Sequence, residues 1–271
     1  MFNSLKFKVI LFGFIFTFFS SFGQSYFLGL FNSSIREALS ITHGQFGSIY
    51  ASATLCSSLL LIWVGKKIDD VNIFKFAFFV TILLSFACFF FSKVSSIFLL
   101  FIAIFLMRFS GQGMMSHTAS TTISRYFTKT RGRALSISWF GLSSAEFIMP
   151  VLMVYLLTII DWQNLWLIFS ITVLIILPIA SFLLIKNLNL DSRESNDENI
   201  KEIEIKQWKR VEVIKDYRFY IISLNMLAMP WIFTGFAVFQ SFIQTSKGWG
   251  PYVIAQSFMS YSILSVLTLF L

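Results

Sequence analysis

Along most of this chain apolar residues do not alternate with polar ones at the period of a surface helix or of a strand. They run on unbroken, about 20 residues at a time. Eight such runs cover roughly 9–31, 46–64, 76–92, 97–123, 134–160, 165–185, 219–245 and 252–271. A hydrocarbon core takes about 20 residues to cross, within a range near 17–25, so each run predicts one membrane-spanning helix. The fold class expected is all-α, a polytopic membrane protein.

One stretch breaks the pattern. Residues 187–217 (NLNLDSRESNDENIKEIEIKQWKRVEVIKDY) hold eight of the chain's 13 acidic residues and almost no apolar run. This predicts a charged linker, with a short surface helix in its latter half, between six spans (1–186) and two (218–271). Six spans, a charged loop and further spans is how a carrier of two six-helix bundles begins. The sequence stops at Leu271 inside an apolar run, so a chain shortened after its eighth span is expected.

The runs differ in polar content. Spans three (FAFFVTILLSFACFFF) and six (LWLIFSITVLIILPIASFLLI) carry only hydroxyls, which can bond their own backbone, so both can face lipid all round. Spans one, four, five and seven carry Gln24, Arg108, Gln112, His117, Glu146, Asn225 and Gln240. Lipid offers these groups no partner, so they are expected to turn toward protein or a water-filled cavity.

Composition supports a membrane protein: 56% hydrophobic and 13% charged, against roughly 25% charged in soluble domains. The net charge of +8 does not require a nucleic acid, because the cations fall in alternate loops. Lys6 and Lys8 precede span one; Lys66, Lys67 and Lys75 separate spans two and three; Arg125, Lys129, Arg131 and Arg133 separate four and five; eight more lie between six and seven. Only Arg36, Lys93 and Lys247 lie on the other side. By the positive-inside rule the N-terminus is cytoplasmic, and the expected location is the cell membrane, the inner membrane in a bacterium. The first 25 residues also resemble a secretory signal, but the apolar run continues past the candidate cleavage site to Phe31 and reads as a span. Cys56 and Cys88 lie within spans two and three, which predicts no disulfide framework.

Arg108 stands alone after the wholly apolar run IFLLFIAIFLM. At 1.5 Å per residue it lies about 16 Å into span four, and Glu146 about 18 Å into span five. Opposite charges at matching depth on consecutive helices predict either a structural ion pair or a substrate or proton site. Gln112, one turn from Arg108, offers a bound anion a second donor. Glu146 is the proton-coupling candidate; burial and a neighbouring cation act on its proton in opposite senses, which leaves its charge open. His117, nine residues past Arg108, falls on the opposite face of a regular helix and reads as a packing residue. In span seven, Pro230 predicts a discontinuous helix near Thr234 and Gln240, the kind of break that marks a carrier's binding site. The substrate-binding set expected is Arg108, Gln112, Glu146, Gln24, Tyr26, Trp231, Thr234 and Gln240.

These residues resemble the major facilitator superfamily. GKKIDDVNIFK is similar to its loop signature through Gly65 and Asp69, although Asp70, Asn72, Ile73 and Phe74 depart from it. RFSGQG resembles its span-four arginine motif, with Arg108 in place. TRGRALS resembles its RGRA segment through Arg131, Gly132, Arg133 and Ala134. PWIFTGFAVFQSFIQTSKGW looks like span seven of carriers related to monocarboxylate and oxalate/formate transporters. The resemblance implies two bundles rocking about a central site. Helices one, four, five, seven and eight would line the cavity, with three and six outside. A cytoplasmic gate would form from Gly65 and Asp69 with Arg131 and Arg133 nearby.

The function expected is secondary active transport of a small solute, an organic anion such as a monocarboxylate, with a proton as the candidate coupling ion. The expected partners are the bilayer and the small anion, and no cofactor, metal or nucleic acid. Export of amphipathic compounds is the alternative, the 35 Phe then forming an adaptable pocket where otherwise they read as lipid-facing filler. A non-transporting sensor or fragment stays open. An enzyme is not expected: there are two histidines, and Ser116 beside His117 points to another face, so no triad geometry arises.

Overall fold

A computed structural model describes residues 4–186 and 210–269. Among the described residues seven helices are long and apolar enough to cross a membrane, and the 18-residue helix Tyr252–Leu269 follows as the eighth. Span two is the helix His43–Val64, span three Ile73–Ser92, span five Arg131–Leu156, span six Trp162–Ile185 and span seven Tyr217–Val238. Four of the spans, two, three, four and seven, start at short polar residues that satisfy free first-turn N–H groups. Thr42 and Gln45 close a reciprocal capping box, Asn72 accepts from Phe74 and Lys75, Ser96 from Leu99 and Asp216 from Arg218. The expected surface helix of the linker is present as Arg210–Lys215; residues 187–209 lie outside the described ones.

Span one does not form one helix. It divides into Ser4–Ser20, a single 3₁₀ turn Ser21–Gly23, then Ser25–Leu30 and Asn32–Leu39, with Gln24 extended (φ −79°, ψ 151°). It is the central element, packed against spans four, five and six. Gly13 and Gly141 set its crossing with span five. A Cβ on Gly141 would meet the Phe14 carbonyl and the Thr17 hydroxyl, and one on Gly13 would meet Ser138. The Thr17 hydroxyl donates across this crossing to the Ser138 carbonyl at 2.5 Å. Small residues thus let two backbones approach where hydrophobic force between helices is lacking.

Spans three and six are not free on all sides, contrary to the expectation from their composition. They pack on each other, and Ser85 and Ser170 donate to each other's carbonyls at 2.9 and 2.8 Å. A hydroxyl that could bond its own backbone finds a better partner across a helix interface. The phenylalanines divide similarly. Phe22, Phe27, Phe31 and Phe91 surround the wholly buried Trp166, with ring centroids 4.5–6.3 Å from it, whereas Phe78, Phe79, Phe86 and Phe98 face outward. Cys88 is buried and Cys56 exposed.

The Gly141 crossing yields a first prediction. Gly141→Leu sets a side chain against immovable backbone and is expected to destabilise the protein by roughly 1–3 kcal/mol. Gly132→Leu, where a Cβ meets nothing within 4 Å, should leave the melting temperature in detergent nearly unchanged. Equal melting temperatures for the two variants would contradict the crossing.

Candidate functional site

The site begins with two helix irregularities in contact. Gln24 interrupts span one, so the carbonyls ahead of it lose their regular partners. Span four is the α-helix Ile97–Met107, a π-helical segment Arg108–Met115, and the α-helix Ser116–Tyr126. Gly23 and Gly111 touch backbone to backbone; a Cβ on either would collide with the other strand of chain. Glycine is required at both positions.

Arg108, the first residue of the π-segment, is 7% exposed. Its Nη1 donates to the Gly23 carbonyl at 3.0 Å and to Ser25 Oγ at 3.2 Å. Tyr50 Oη also donates to Ser25 Oγ, at 2.9 Å, and the Tyr50 ring lies 5.4 Å from the guanidinium carbon. Nε is buried without any partner. The side chain walls a cavity of about 280 Å³ together with Ser57, Ser58, Leu61, Gln112 and Gly113. Arg108 and Gln112 thus line the same cavity.

Arg108 does not pair with Glu146. No ion pair or hydrogen bond joins them; Arg108 turns to the break in span one. Glu146 is also 7% exposed. Equal depth along two helices fixes height in the membrane but leaves rotation about each axis open, and rotation separates these charges.

The other expected residues divide among three places. The half-buried Gln24 contributes the extended backbone itself. Tyr26 is wholly buried, its hydroxyl unpartnered. Gln240 joins spans one and seven: its Nε2 donates to the Tyr26 carbonyl at 3.0 Å. Beside it, Asn32 Nδ2 donates to the Val238 carbonyl at 2.8 Å. Trp231 is 82% exposed and, with Thr234, lines a separate cavity of about 670 Å³ between spans two and seven. The expected break in span seven occurs at Phe239 and not at Pro230, which sits inside the unbroken helix Tyr217–Val238. Asn225 points outward and bonds only its own helix.

A family model, the Major Facilitator Superfamily, matches residues 13–271. The chain belongs to the Major Facilitator Superfamily. It is thereby a secondary transporter of small solutes. No curated protein matches it.

In this Major Facilitator Superfamily member the loop after span two is tied to span four. His117 Nε2 lies 2.9 Å from the Gly65 carbonyl and therefore donates to it. Arg125 donates to the Ile68 carbonyl at 3.2 Å and pairs with Asp69. Arg131 donates back to its own Phe127 carbonyl at 3.4 Å, and Arg133 is exposed. The cation that reaches Asp69 is thus Arg125, which the sequence reading had not selected. Its signal was available: Arg125 is the last basic residue of a helix whose neighbours in sequence drew attention instead.

His117 also departs from expectation. A π-segment closes i→i+5 rings, so the nine residues from Arg108 to His117 make about two turns instead of two and a half. Arg108, Gln112, His117 and Arg125 accordingly all reach span two or the loop after it. His117→Leu removes a donor from the Gly65 carbonyl and is expected to cost about 1 kcal/mol and to speed tryptic cleavage at Lys66 and Lys67, with His117→Gln closer to the parent. Unchanged cleavage in His117→Leu would show that the loop is held by Arg125 alone.

Proposed function

We propose that this chain carries a small organic anion, such as a monocarboxylate, and that Arg108 and Gln112 bind its anionic group. The observation that carries this reading is a buried guanidinium with no carboxylate partner, whose Nε lacks any acceptor, in the wall of a 280 Å³ cavity. An unpaired buried cation is costly, and an entering carboxylate supplies both charge and acceptor. Ser57 and Ser58 add hydroxyls to the same wall.

In this reading the chain lies in the cell membrane with its N-terminus cytoplasmic, following the uneven loop cations. Residues 1–186 form one bundle, and the spans after the charged linker begin another. The bundles rock about the central site, with Gly65, Asp69 and Arg125 at the cytoplasmic gate and Arg131 and Arg133 flanking it. The contacts of Gln240 with Tyr26 and of Asn32 with Val238 close the opposite end and must part when it opens. Glu146, buried and in no ion pair among the described residues, is the site for a coupling proton.

The test is uptake of labelled mono- and dicarboxylates into proteoliposomes. Arg108→Gln, shown by its melting temperature to be folded, is expected to weaken carboxylate transport about 10- to 100-fold, the loss of one charge-assisted hydrogen-bonding group. Carboxylate transport unaltered in a folded Arg108→Gln protein would reduce the arginine to a cap for span one.

A further inference from the structure

Resting on the anion reading, we propose that the bound anion carries an apolar body, and that the cavity between spans two and seven houses it. The polar cavity at Arg108 and the larger cavity share one wall, the inner face of span two. Tyr50 and Thr54 line the larger cavity, while Ser57, Ser58 and Leu61 line the smaller one. Thr54 stands one helical turn from Ser57 and Ser58, whose hydroxyls both donate to its carbonyl, at 2.8 and 2.9 Å. One turn is about 5.4 Å, the length of a few methylene groups.

Three observations join the two cavities into one site. Tyr50 links the two: its ring faces the guanidinium of Arg108, a residue of the smaller cavity, at 5.4 Å, and Tyr50 itself lines the larger one. Thr54, in the wall of the larger cavity, has a buried Oγ1 with no partner, and Arg108, in the wall of the smaller one, a buried Nε with none. The chemistry of the linings is divided. The smaller cavity presents a cation, an amide and two hydroxyls, whereas the larger one, about 670 Å³, is built mainly from Gly47, Ala51, Leu227, Pro230, Trp231 and Phe239. A small hydrophilic anion such as formate would fill the first and leave the second to water among apolar groups. A carboxylate on a short alkyl or aryl chain matches both: its oxygens at Arg108, its chain past Thr54, its end against Trp231 and Pro230. Binding of that kind is orienting at one end and permissive at the other.

The experiment is equilibrium binding of labelled propanoate, hexanoate and 4-phenylbutanoate to the full chain in lipid nanodiscs, with Arg108→Gln measured in parallel to subtract partition into lipid. The expected result is an Arg108-dependent affinity that rises roughly tenfold or more from propanoate to the longer acids. The ratio should fall toward unity in Ala51→Phe, which fills the cavity. It should fall several-fold in Trp231→Ala, whose exposed side chain can be removed without threat to the fold. Arg108-dependent binding with the same affinity for all three acids would overturn the apolar-body proposal and leave the anion site standing. Chain-length selectivity that persists undiminished in both cavity variants would overturn the assignment of this cavity. The absence of Arg108-dependent binding for every acid would overturn the anion reading, and the proposal with it.

Discussion

The carbonyl of Gly23 has lost its helical partner because Gln24 is extended, and in a bilayer it cannot turn to water. Arg108 supplies the missing donor. Much of the surrounding architecture answers to that contact. Gly23 and Gly111 must both be glycine for the two segments to approach closely enough, and the π-segment starts at the arginine that makes the bond. Ser25 and Tyr50 then hold the guanidinium from the other side. An arginine that reads in the sequence as half of an ion pair is, in the fold, the cap of a broken helix.

That exchange of partners has an electrostatic meaning. Had Arg108 and Glu146 met, each would have neutralised the other, and the interior would present no net charge to a solute. Neutral acceptors leave the arginine's full charge in place. Glu146 is buried on another helix, in no ion pair among the described residues. The interior therefore holds a guanidinium and a carboxyl group apart, on different helices, available to different ligands.

How much of this was legible in the sequence depends on the scale of the feature. The spans are set by unbroken apolar length, and seven of the eight expected are helices long and apolar enough to cross a membrane, with Tyr252–Leu269 the shorter eighth. The residues that approach the central cavity, Arg108 and Gln112, were marked by polarity where lipid allows none. What the sequence did not reveal was rotation. A regular helix carries His117 away from Arg108 and leaves Glu146 free to face it; the π-segment and the break at Gln24 reverse both expectations. No residue type announces a π-segment, although Gly111 and Gly113 permit one. Nothing in the sequence around Tyr50 and Ser25 marks what they touch; only the fold brings them to the guanidinium. Pro230 misled in the other direction: a proline can be held inside a continuous helix, and span seven breaks at Phe239 instead.

The π-segment also bears on how this chain can vary in length. A helix wound more loosely over Arg108–Met115 uses up more residues than an α-helix of the same height. Elsewhere in a spanning helix, losing or gaining one residue turns everything beyond it by about 100°, which here would carry His117 and Arg125 away from the loop they hold. Within the π-segment a lost residue can be absorbed by tighter winding, so that the two ends of span four keep their faces. Span four thus contains one short region where the residue count is adjustable, and it lies at the same height as the arginine.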